Sequence, residues 1–157
     1  MKTMHMLMMP MVLTGGLSTA AFANDGSLTP SELESLLNDA DAYGVTHYDE
    51  IAIDDNNRLE VEGWRDDGWQ LDIDMLVKDG SLVHEKRHQD TIPDWSLNSA
   101  ELRQALDNAR DAGMKRFAEL DVDGRGHVDI EGYDTQNSEL DLRLERDGLT
   151  ITGVEHD

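Results

Sequence analysis

SLTPSELESLLNDADAYGVTHYDEIAIDDNNRLEVEGWRDDGWQLDID, residues 27–74, decides the architecture because the chain states it twice. Shifted by 69 positions, Ser27, Leu28, Glu32, Leu33, Leu37, Ala40 and Gly44 fall on Ser96, Leu97, Glu101, Leu102, Leu106, Ala109 and Gly113. Glu50, Asp54, Glu62, Gly63, Leu71 and Asp72 likewise fall on Glu119, Asp123, Glu131, Gly132, Leu140 and Asp141. With one deletion, Lys78-Asp79-Gly80 falls on Arg146-Asp147-Gly148 and His88 on His156. Self-similarity at a fixed period is the first thing to settle in a sequence, since it fixes the repeating unit. The unit here has about 60 residues, small enough that its own core is marginal.

Thr29-Pro30-Ser31-Glu32 predicts a helix start: Thr29 caps, Pro30 suits the first turn and Glu32 closes a capping box. Leu33, Leu36, Leu37 and Ala40 follow at helical spacing, and Gly44 supplies a left-handed stop. Asn98, Glu101, Leu102, Ala105, Leu106, Ala109 and Gly113 repeat the pattern. Beyond each glycine the period becomes two. Ile51 and Ile53, then Leu59, Val61 and Gly63, then Leu71, Ile73, Met75 and Val77, alternate with polar residues, as do Leu120, Val122, Val128, Ile130, Leu140, Leu142 and Leu144. Asp- and Gly-rich turns separate the runs. The expected fold is α+β, two tandem repeats, each one helix packed on a three- to four-stranded antiparallel β-meander. The expected boundaries are repeat 1 at 24–89, a linker at 90–96 carrying Ile92-Pro93-Asp94-Trp95, and repeat 2 at 97–157.

Residues 1–23 read as a secretory signal. Lys2 precedes an apolar run from Met6 to Leu17, and Ala21-Phe22-Ala23 has the small-x-small form of a cleavage site. The run is too short to span a bilayer with ease, so a periplasmic or secreted protein of 134 residues is expected, with no membrane insertion after cleavage. There is no cysteine, hence no disulfide to stiffen two small units. Without Lys2 the chain has 12 basic and 34 acidic residues, a net charge of −22. That excludes nucleic acid as a partner. The acids are spread through both repeats, which suits a solvated acidic surface, while a surface for a cationic partner or metal ions is the alternative.

With the helix, Gly44 and the hairpin Val61-Glu62-Gly63-Trp64-Arg65-Asp66-Asp67-Gly68 in place, the chain resembles the PepSY family. The matching positions are Gly44, Val61, Glu62, Asp67, Gly68, Leu71, Ile73, Asp79 and Gly80, then Gly113, Ile130, Glu131, Leu140, Leu142, Asp147 and Gly148. The second copy departs where Gln136-Asn137 replaces the Asp-Gly turn. The resemblance implies an exported, non-catalytic protein-binding module, with a protease as the first partner to consider. It brings no catalytic or ligand residues with it. The tandem layout also resembles that of the β-lactamase inhibitory protein, without its cysteines.

The residues themselves give little chemistry to an enzyme, and no catalytic site, cofactor or metal is expected: there is no thiol, no nucleophile elbow and no phosphate-cradling glycine loop. Asp121–Asp129 resembles a calcium loop, but Arg125 and Gly132 occupy positions five and twelve, so a hairpin turn is expected there. His84 and His88 lie four apart, but in a stretch that reads as strand. The candidate partner-binding residues are Trp64, Trp69 and Tyr133, expected on the outer face of the meander among Arg58, Glu60 and Glu62. The competing expectation is that both Trp close an interdomain seam or cap the open end of the sheet. The alternative function is an acidic module that binds divalent cations or senses the envelope.

Overall fold

The structure, a computed structural model, describes residues 26–157; the expected signal at 1–23 lies outside the described residues. Helix α1 (Pro30–Tyr43) is followed by β1 (His47–Ile53), β2 (Arg58–Trp64), β3 (Trp69–Leu76) and β4 (Leu82–Gln89). A two-residue β5 (Leu97–Asn98) leads into α2 (Ser99–Asp111), then β6 (Arg116–Val122), β7 (His127–Tyr133), β8 (Glu139–Glu145) and β9 (Thr150–His156). Both helices start at capping boxes. Thr29 N–H donates to Glu32 Oε2 at 2.9 Å, and Asn98 N–H to Glu101 Oε2 at 2.9 Å. Gly44, at φ 117°, ends α1 in the left-handed region that costs glycine nothing.

The expectation of two tandem units, each a helix on its own meander, is corrected. The strands form one nine-stranded antiparallel sheet in the order β4-β3-β2-β1-β6-β7-β8-β9, with β5 added against β1. Two pairings make it one. Across the middle, Glu50, Ile51 and Ala52 pair with Asp121, Leu120 and Glu119. The segment before each helix also belongs to the opposite half: Leu28 bridges Phe117 of β6, and Leu97 pairs with Tyr48 of β1. The physical reason is the marginal size of each unit. A strand that closes a small core alone would leave a bare edge, and pairing β1 with β6 removes both inner edges at once.

One apolar core results. Leu33, Leu36, Leu37 and Ala40 of α1 and Leu102, Ala105 and Ala109 of α2 are buried in one cluster with Ile51, Leu59, Val61, Ile73, Leu120, Ile130 and Leu142 of the sheet. Both helices therefore cover one face. Gly63 and Gly132 sit where their strands cross the backbone most closely. A Cβ would stand 2.2 Å from His47 O at the first and 2.1 Å from Arg116 O at the second. No side chain fits there.

The helices are tied to each other by charge. The Arg103 guanidinium on α2 meets Asp41 at 2.9 Å and Glu34 at 2.9 Å on α1, and donates to Asn38 Oδ1 at 3.1 Å. Asp41 also accepts from Tyr48 Oη at 2.6 Å and from Ser99 Oγ at 2.9 Å. Burial, with that hydrogen bond second, pushes the Tyr48 hydroxyl pKa upward, so the phenol stays a donor.

Candidate functional site: the acidic sheet face

Alternation places the polar residues of every central strand on the face opposite the helices. The pairing register then lines them up in two rows. One row runs Lys86, Asp72, Glu62, Glu50, Asp121, Asp129, Arg143 across seven strands. The other runs His84, Asp74, Glu60, Ala52, Glu119, Glu131, Asp141, Glu155 across all eight strands of the main path. Eleven of these fifteen side chains are carboxylates. Like charges directly opposite one another destabilise a strand pair, and here Glu50 stands between Glu62 on one side and Asp121 on the other.

The cations of the two rows, Lys86 and Arg143, sit toward the outer strands. Lys86 pairs with Asp72 at 3.3 Å, Arg58 with Asp74 at 3.5 Å, and Arg143 grips both oxygens of Asp129 at 2.7 and 3.2 Å. Among the described residues no cation pairs with Glu50, Glu62, Glu119 or Asp121 at the centre. The proton affinities follow from this placement. Burial, then the charges of Glu62, Glu119, Asp121 and Asp49, pushes the Glu50 carboxyl up to about 7. Asp49, in the bulge beside it, is pushed up to about 6 by burial and then by Glu62 and Asp121. Glu60, Asp121 and Glu131 are raised by the same causes, burial foremost. At the middle of the sheet Glu50 and Asp49 thus hold their protons to higher pH than free carboxylates do.

The expected aromatic patch is not assembled. Trp64 closes β2 but is only 2% exposed, with the Trp95 ring of the linker edge-on to it at 5.8 Å. Trp95 Nε1 in turn lies by Gly124 of the β6–β7 turn, 3.8 Å from where a Cβ there would stand. Trp64 is therefore part of a seal between the linker and both halves. Trp69 falls on the opposite face, half-buried against the core, with the Arg87 guanidinium 5.4 Å from its ring centroid. Tyr133 is half-buried at the end of β7, paired with Arg116 and Glu139, and does not meet either Trp.

The calcium-like stretch Asp121–Asp129 forms the β6–β7 hairpin. Asp123 accepts from the Arg125 and His127 backbone N–H groups at 2.8 and 3.0 Å and meets the His127 ring at 2.9 Å. These bonds, the His127 backbone foremost, hold its carboxyl well below the usual range. The turn thus occupies most of the acceptor capacity of Asp123. Among the described residues no three His, Asp or Glu side chains converge as a metal site. No helix there is long and apolar enough to cross a membrane.

The rows of carboxylates were missed as a site because the acids looked evenly scattered along the chain. The signal was the spacing itself: Glu60-x-Glu62, Asp72-x-Asp74, Glu119-x-Asp121 and Asp129-x-Glu131 each put two acids on one strand face. Only the register between strands, absent from any single stretch, turns those pairs into continuous rows.

No protein-family model matches the chain, and no curated protein matches it. A solved structure of a "putative lipoprotein" from Clostridium difficile 630 is similar at a TM-score of 0.42 and 18% identity, over 82% of this chain and 93% of that one.

Proposed function

We propose that this is an exported, non-catalytic protein-binding module that offers its helix-free sheet face to a cationic protein partner. The observation that carries the reading is the pair of cross-strand carboxylate rows, which concentrate negative charge where the fold gains nothing from it. Self-repulsion of this kind is relieved when a basic surface docks, and a field of one sign speeds the encounter. The resemblance to PepSY modules supports a non-catalytic role and makes a protease the first partner to test. Export rests on the leader-like residues 1–23.

The test is retention of envelope proteins on the immobilised protein at two salt concentrations, beside a variant carrying Glu60→Gln, Glu62→Gln and Glu131→Gln. A defined partner held by the native face, released by salt and not held by the variant supports the reading. If both proteins retain the same set, the face is not the binding surface.

A second reading, envelope sensing, is favoured by Glu50 and Asp49, whose raised proton affinities at about 7 and about 6 make the centre of the sheet respond to mild acid. It predicts a change in partner affinity between pH 5 and 8 that Glu50→Gln reduces and that Glu50→Gln with Asp49→Asn removes.

A further inference from the structure

The two outer strands of the sheet are unlike its interior. Among the described residues β4 and β9 each have a neighbour on one side only, so each presents a row of backbone N–H and C=O groups to a further strand. β4 is exposed at every residue. Among the described residues four large apolar side chains are exposed, and three of them lie on these strands: Leu82 at 37%, Val83 at 46% and Val154 at 48%. The two edges also differ in charge. β4 carries His84, Lys86, Arg87 and His88 with one acid, Glu85, whereas β9 leads through Glu155 to Asp157.

The eight strands of the main path are antiparallel to their neighbours throughout, so β4 and β9 run in opposite directions. A second copy shifted along the sheet therefore brings its β4 antiparallel to β9, with all helices kept on one face. Faces match only in alternate registers. On the acidic face β4 offers His84, Lys86 and His88, which stand opposite Asp74, Asp72 and Gln70. Whichever of these faces Glu155, the pair is complementary. In the register that sets Glu155 against Lys86, Asp157 meets His84, and on the other face His156 meets Glu85.

We propose that the protein associates head to tail through β9 of one copy and β4 of the next. The occupant of each edge is thus a second copy of this chain. Charge disfavours the centred two-fold alternatives, since two β4 strands would bring Lys86 against Lys86 and two β9 strands would oppose Glu155 to itself. Lys86 guards β4 against a like strand while fitting it to β9. A heterologous contact of this sort does not close on itself and builds open chains. The net charge of −21 per copy limits their growth.

Sedimentation velocity of the purified protein over a wide concentration range tests this. Species larger than a dimer should form as concentration rises. Lys86→Glu and Glu155→Lys, both at exposed positions, should each weaken association by about tenfold, the size expected when one cross-strand charge pair is turned from attractive to repulsive. Mixing the two variants should restore it, because Glu at position 86 of one then faces Lys at position 155 of the other. Circular dichroism of each variant checks that the fold is kept. A protein that stays monomeric throughout, or a dimer that Glu155→Lys leaves intact, overturns the proposal.

Discussion

Arg103 of α2 reaches Asp41 of α1 at 2.9 Å, and through Asp41 the two helices share a hydrogen bond with buried Tyr48 beneath them. Arg103→Ala removes the fork that holds Asp41, Glu34 and Asn38 together. It should cost about 1.5–3 kcal/mol, the range for hydrogen bonds to charged groups. Arg103→Lys should recover little of this, because an ammonium cannot reproduce a planar fork across three acceptors. Urea unfolding of the two variants beside the native protein measures both.

Gly63→Ala and Gly132→Ala should each destabilise by about 1–3 kcal/mol or more, since the new methyl group would press on the backbone carbonyl of His47 or Arg116. Gly124→Ala is the control. It lacks a positive φ, and its Cβ would make only ordinary contact with Trp95. Its melting temperature should stay near that of the native protein.

Trp64→Ala should act on stability and not on partner binding, contrary to what an exposed patch would give. Emptying a buried Trp site costs about 3–5 kcal/mol, and Trp64 is 2% exposed beneath Trp95. Trp69→Ala, at a half-buried position, should cost less. Thermal unfolding followed by tryptophan fluorescence separates the two.

Stability should fall as pH rises from about 4.5 to about 7. In that window Glu50 is ionised in the unfolded chain but still holds its proton in the folded one, so the folded state binds more protons and loses ground as they become scarce. Asp49 adds to the slope between about 4 and about 6. Below pH 4 the order reverses: Asp123 and Glu32, whose carboxyls are held low by backbone hydrogen bonds, take up protons and withdraw their support. The melting temperature should therefore peak near pH 4 to 5. Glu50→Gln should raise it at pH 8 and leave it unchanged at pH 4, which a series of melts in matched buffers will show.

Local rules carried the reading of the sequence as far as single elements. Thr29 with Glu32 and Asn98 with Glu101 announce the helix starts, and alternation assigns Leu59, Val61, Leu71 and Ile73 to the buried side. Even the departure at Gln136-Asn137 resolves locally, since Asn137 takes φ 62° where its counterpart Gly68 takes 80°. What lay beyond reach was pairing. Nothing in Ile51 or Leu120 alone says that they meet, so two separate units were expected where one sheet exists. The candidate surface failed for the same reason. Trp64 alternates outward as expected, but the linker residue that buries it comes from 31 positions away.

The exchange of Leu28 and Leu97 between the halves has a consequence for how this chain comes apart and how it could have arisen. Each half holds a strip of the other, so melting either one strips a strand neighbour from its partner, and the whole should unfold in one cooperative step. A polypeptide of half this length would lack the strip that flanks its first strand. Two such molecules could supply it to each other by swapping their leading segments, which makes an obligate dimer the natural forerunner of a fused chain.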